Sequence, residues 1–130
     1  MEKSKDFESY FSDEALTSSQ LERMQLTRQL AHDIYPEVQE RVAYAMPGFY
    51  PQYAKKATQQ LFLVRANKHW LGLYGVPGIE TYNLKDFLDQ GVEFGKGSLR
   101  VPYDLEYNSY ERLIELIIHF NAKRHGLDLM

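Results

Sequence analysis

The chain contains no cysteine. Disulfides, thiolate zinc sites and cysteine nucleophiles are therefore excluded together, and a reducing, cytoplasmic setting is the expectation that goes with that lack. No apolar run approaches the ~20 residues that a membrane helix requires. The opening residues Met1-Glu2-Lys3-Ser4-Lys5-Asp6 have none of the apolar stretch of a secretory signal. No glycine- or serine-rich linker divides the 130 residues, and no segment repeats. No surplus of positive charge is present either: the net charge is −3, which gives no general pull toward nucleic acid. The motifs G-x-S-x-G and H-E-x-x-H are missing. A triad drawn from His69, Asp86 or Asp89, and Ser98 has no support in its spacing. A binding protein is expected rather than an enzyme.

What is present fits one soluble domain over residues 1–130, with 44% apolar and 25% charged residues. Phe7, Tyr10 and Phe11 make one helical stripe within residues 6–12. Ser19-Gln20-Leu21-Glu22 reads as a capping box, opening a helix over about 20–34. Tyr35-Pro36 interrupts it, and Pro36 then suits the first turn of a second short helix through Val38 and Val42.

Beyond Pro47 the pattern becomes extended. Strands are expected at 48–53, 60–66 and 69–74, the last two joined by a turn at Asn67-Lys68. Gly72 inside a strand implies a bulge or a close approach by another group. A helix over 83–90 is capped by Asn83 and stopped by Gly91, and a strand over 97–101 ends at Pro102. Asn108-Ser109-Tyr110-Glu111 gives a second capping box. It opens an amphipathic helix with Leu113, Ile114, Ile117 and Ile118 inward, closed by Gly126. Helices first, then adjacent strands, then helix, strand and helix make an α+β fold. Its sheet is mostly antiparallel, with N-terminal helices and the C-terminal amphipathic helix packed against it.

Three charged constellations stand out. Residues 1–40 hold nine of the acids and only four bases, whereas residues 41–130 hold nine acids and eleven bases. In the acidic third, Asp33, Glu37 and Glu40 are spaced i, i+4, i+7, with Glu8, Asp13 and Glu14 near in sequence. Exposed carboxylates of this kind are weak, exchangeable ligands for a hard cation, although a solvated helix face looks the same in sequence. Glu111, Glu115 and His119 repeat every four residues on the last helix, where a solvated face is again the ordinary meaning. In the basic part, Gly95-Lys96-Gly97-Ser98 with Arg100 offers backbone N–H groups and charge for an anion, and Lys68 and His69 are candidates to join it. The alternative is a tight turn that needs its glycines. Trp70, Tyr74, Tyr44, Phe49 and Phe62 are expected to build the core or a groove wall.

The series Tyr44-Ala45-Met46-Pro47-Gly48-Phe49, Lys68-His69 before an aromatic strand, then Phe94-Gly95-Lys96-Gly97-Ser98-Leu99-Arg100-Val101-Pro102 and a closing amphipathic helix resembles the YdhG-like family of small bacterial proteins. That family is a domain of unknown function, and some of its members are described as frataxin-like iron chaperones. The resemblance spans about residues 20–125 and implies an α+β fold. It also implies iron as the cofactor, held weakly without catalysis and passed to an iron-accepting assembly protein. The family motif names no ligands. Asp33, Glu37 and Glu40 are the metal candidates from the residues themselves. The competing expectation is a module that takes an anionic small molecule or an acidic protein partner through Lys68, Lys96 and Arg100, with His69 and Ser98 beside them. Neither nucleic acid nor membrane is an expected partner.

Overall fold

The computed structural model describes residues 6–127. A single 3-10 turn at Glu8–Phe11 opens the chain. Phe7 stacks on Phe11 at 5.0 Å and meets Phe49 edge-on at 5.7 Å, which pins this turn to the sheet. Helix α1 spans Ser18–Ile34. It is capped by Thr17, not Ser19. Thr17 Oγ1 accepts from the Gln20 N–H at 3.2 Å, and Gln20 Oε1 accepts from the Thr17 N–H at 2.8 Å. Both Thr17-x-x-Gln20 and Ser19-x-x-Glu22 satisfy the capping-box pattern. The earlier start adds helix and lets Gln20 Nε2 also donate to the Asn67 carbonyl at 3.1 Å, a tertiary bond.

The helix expected after Pro36 does not form. The Val38 N–H turns back onto the Tyr35 carbonyl at 2.9 Å, and the chain leaves as strand β1, Gln39–Ala43. Two features overrule the proline. Val38 and Val42 favour extended backbone, and a two-residue turn at Tyr44-Ala45 returns the chain directly into β2, Met46–Tyr50. Then come β3 (Phe62–Ala66), β4 (Leu71–Tyr74), the short helix α2 (Lys85–Asp89), β5 (Glu93–Gly95), β6 (Ser98–Val101) and the long helix α3 (Tyr107–Arg124). β5 was not expected, because three residues are too few for alternation to register. The cap of α2 is Leu84 rather than Asn83. Helix α3 starts after Glu106 with no side-chain cap, so the Asn108 box is not used. Gly91 and Gly126, at φ +94° and +76°, close their helices as expected.

The six strands form one sheet in the order β1-β2-β3-β4-β6-β5, antiparallel at every pairing. The α+β class with an antiparallel sheet and a C-terminal helix is thus what the chain adopts. Phe49, Phe62, Val64, Leu71, Leu73, Leu99 and Val101 point to the helical side. There they meet Met24, Leu30 and Ala31 of α1 and Leu113, Ile114, Ile117 and Ile118 of α3. Each large side chain so buried contributes roughly 1.5–3 kcal/mol. Asn121, fully buried on α3, donates to the carbonyls of Leu61 and Gly75, both at 2.7 Å, and so joins the helix to the ends of β3 and β4. Arg23 is buried on α1. Its Nη2 donates to the carbonyls of Tyr103 and Leu105 at 2.9 and 2.7 Å, and its guanidinium lies 4.6 Å from the Tyr110 ring centre.

Candidate functional site

Neither α1 nor α3 packs on the other face of the sheet. At the β1–β2 end, Ala43, Tyr50 and Leu63 form a second small cluster, covered in part by Ala54 and Ala57 of the β2–β3 connection. The β3–β4–β6–β5 end is left open. Side chains alternate between faces along a strand, so register decides which residues meet there. Arg65 opposes Gly72, Gly72 opposes Arg100, and Arg100 opposes Glu93, which makes one row across four strands. Arg65, Arg100 and Glu93 are exposed.

Gly72 is the centre of this row, and the close approach expected of it is real. The register runs through it without a bulge, and the space where a Cβ would stand is filled by the phenol ring of Tyr74. The Tyr74 hydroxyl accepts from Asn67 Nδ2 at 3.1 Å, so its own proton remains available to an acceptor. Trp70 flanks the row on the other side: the Arg100 guanidinium lies 4.5 Å from the centre of its ring. That stacking orients the guanidinium without neutralising it. The surface therefore presents two arginines, a tyrosine hydroxyl and an indole on a rigid sheet, with Glu93 at the outer edge.

The residues expected to bind an anion divide between the two ends of the β4–β6 ladder. Lys68 and His69 are exposed in the four-residue connection from β3 to β4, at the end where Leu71 opposes Val101, near Arg100. Lys96 sits in the β5–β6 turn at the opposite end, beside the pair Tyr74–Ser98. Lys68, Lys96 and Arg100 thus do not converge on one point. The Gly95–Ser98 segment is a hairpin turn with Gly97 at φ +70°, and the Gly97 carbonyl accepts from Val76 N–H at 3.1 Å. Nothing in the sequence marks Arg65, since only the register places it opposite Gly72 and level with Arg100. Phe49 and Phe62 are core residues, whereas Tyr44 is 60% exposed and walls nothing.

The acidic candidates lie on the opposite margin, where α1 meets β1. Arg28 on α1 is the hub. It donates to Glu8 through Nη1 and Nη2 at 3.0 and 2.6 Å, and to Glu40 through Nε and Nη2 at 2.6 and 2.9 Å. His32 Nε2 lies 2.8 Å from Glu40 Oε2. Hydrogen bonding from Arg28 holds the Glu8 carboxyl below its ordinary range. Burial opposes ionisation of Glu40, but the hydrogen bonds from Arg28 and His32 outweigh it and leave that carboxyl lowered too. Asp33 is bonded to Gln29 Nε2 at 2.8 Å, and Glu37 is exposed in the turn before β1. Among the described residues no group of three or more histidine, aspartate or glutamate side chains is placed to hold a metal ion, neither here nor at Glu111, Glu115 and His119. Iron at Glu8 or Glu40 would have to take those carboxylates from Arg28. Among the same residues no helix is long and apolar enough to cross a membrane.

No protein-family model matches the chain, and no curated protein matches it in sequence. In three dimensions it is similar to a Bacillus subtilis protein of the DUF1801 family, YdhG. The TM-score is 0.74 at 16% identity, over 92% of this chain and 90% of that one. The fold implied by the YdhG-like resemblance is therefore the fold found. At that identity the likeness carries architecture and not activity.

Proposed function

We propose that this protein is a non-enzymatic docking module whose open sheet face takes an acidic protein surface. One observation carries the reading: the cross-strand row in which exposed Arg65 and Arg100 flank Gly72 on the sheet face away from α1 and α3. Guanidinium groups match carboxylates with paired hydrogen bonds. Trp70 and Tyr74 add broad, stiff contact area, and tryptophan, tyrosine and arginine are the types that dominate the centres of protein interfaces. The recess beside Arg100, lined by Glu93, Phe94, Gly95 and Ser98, has a volume of about 280 Å³, below the ~300–1,000 Å³ usual for small-molecule sites. Lys68 and His69 extend the face at one end, and Lys96 serves as rim at the other.

The test is an NMR titration of the 15N-labelled protein with a polyglutamate peptide. Shifts are expected on β3, β4, β6 and the 67–70 connection, and they should vanish in an Arg65→Glu/Arg100→Glu variant. A wild-type protein with no shifts on that face would end the reading.

A second reading, weak holding of iron for delivery to an assembly protein in the cytoplasm, draws on the α1–β1 margin. Glu8 and Glu40 already converge on one cation there, the Arg28 guanidinium, and His32 bonds to Glu40. Of the expected ligands, only Glu40 belongs to this group, with Asp33 and Glu37 beyond it. Anaerobic ferrous titration should then broaden resonances around Glu40 more strongly in Arg28→Ala than in the wild type. Absence of selective broadening in both proteins removes iron from consideration.

A further inference from the structure

The open row has an order as well as a sign. From β3 to β5 it reads Arg65, Gly72, Arg100 and Glu93, that is cation, no side chain, cation, anion. Neighbouring strands lie about 4.8 Å apart. The Cα atoms of Arg65 and Arg100, two strands apart, are therefore about 10 Å from each other, and that of Glu93 is about 5 Å beyond. All three charged residues are exposed, and none of the ion pairs among the described residues engages them. Glu93 and Arg100 are cross-strand neighbours, yet the Arg100 guanidinium lies on the Trp70 ring instead. Both charges thus stay available to a partner. Toward β2 the same face is closed by Ala54 and Ala57 over Tyr50 and Leu63, so the row is open only from β3 to β5.

Given the docking face proposed above, we infer that its partner is an α-helix laid across the strands, with acids at i and i+7 and a base at i+11. Helical rise decides this. Seven residues advance about 10.5 Å and eleven about 16.5 Å, and both positions lie within about 20° of the first around the axis. The two acids then meet Arg65 and Arg100. The base meets Glu93, since a lysine side chain spans the remaining ~2 Å. An extended segment fails here, because its residues on one side recur about every 6.6 Å and match neither spacing. Between the acids, the residues at i+3 and i+4 lie over the Tyr74 ring, which fills the space above Gly72. They must be small or apolar.

The probes are alanine-rich peptides locked as helices by a side-chain bridge, titrated into the 15N-labelled full chain. One carries glutamates at i and i+7 and lysine at i+11. Its isomer moves the second glutamate to i+5, around the helix from the first, at the same composition and charge. The isomer should bind about fivefold more weakly, the scale of one exposed ion pair. The exposed Glu93→Lys variant should reverse the choice at i+11, taking a peptide with glutamate there in preference to lysine. Equal binding of the two isomers, or an unchanged choice at i+11 in Glu93→Lys, overturns the helix. So does binding of polyglutamate on this face without binding of either helix, and in that case the docking face itself stands. Failure of polyglutamate and helices alike removes both.

Discussion

Asn121 shows how one side chain can bind three elements. Its Nδ2 serves the carbonyls at the ends of β3 and β4, and its Oδ1 accepts from Arg124 Nε at 2.8 Å, all in a fully buried position. Asn121→Ala leaves the Leu61 carbonyl without that donor in a dry environment. The expected loss is about 1–3 kcal/mol, visible as a lower urea midpoint at unchanged slope. Three phenols make a second prediction at this scale. Burial raises the pKa of Tyr50, Tyr103 and Tyr110, most of all that of Tyr110, whose hydroxyl lies 2.5 Å from Thr27 Oγ1. The unfolded chain gives up these protons near the ordinary tyrosine value of about 10, while the folded chain keeps them. The folded state then binds more protons, so stability should be flat up to about pH 10 and fall as pH rises toward the folded values. Urea unfolding between pH 8 and 11 measures this, and Tyr110→Phe should make the fall shallower.

Among the elements, the β1–β2 hairpin carries a cost that can be removed. Tyr44 and Ala45 both sit at positive φ, +54° and +58°, where a Cβ is unfavourable by roughly 1–2 kcal/mol per residue. A two-residue turn of this kind prefers Asn-Gly. Replacing Tyr44-Ala45 by Asn-Gly should raise stability by about 1–2 kcal/mol, read from thermal unfolding. The same hairpin marks where the sequence is hard to read. Helix α3 and strands β3 and β4 are legible because their apolar periodicity is strong. β1 is not, since Pro36 signals a helix start and the deciding turn lacks the usual Asn and Gly. Two overlapping capping boxes at Thr17 and Ser19 are equally good locally, and only the Gln20–Asn67 contact selects between them. The site was partly legible for a related reason. Arg100, Lys68 and His69 stand out as charges beside glycine or aromatic residues. Arg65 does not, and Lys96 stands out in the same way although the β5–β6 turn carries it to the other end of the ladder.

Taken whole, the molecule separates its charges. The margin of α1 and β1 carries Glu8, Asp33, Glu37 and Glu40 around the one cation Arg28, whereas the open sheet face carries Arg65 and Arg100, with Glu93 at its edge and Lys68 and Lys96 at its ends. A protein with net charge −3 can still present a cationic face at close range, because salt screens charges beyond about 8–10 Å under ordinary conditions. Polyglutamate affinity should therefore fall as ionic strength rises from 50 to 200 mM, which isothermal titration at the two salt concentrations measures.

The strand order has a kinetic consequence as well. Four of the five pairings join strands that follow one another in sequence, and only β4–β6 does not. The hairpins can zip locally, but the β4–β6 ladder must wait until residues 75–97, carrying α2 and β5, have closed into a loop. Loop-closure entropy is lost before that ladder returns any stabilisation, and folding rates fall as such non-local contacts accumulate. The seam between Gly72 and Arg100, which aligns the docking row, is thus the part of the sheet that forms late on the way to the native state.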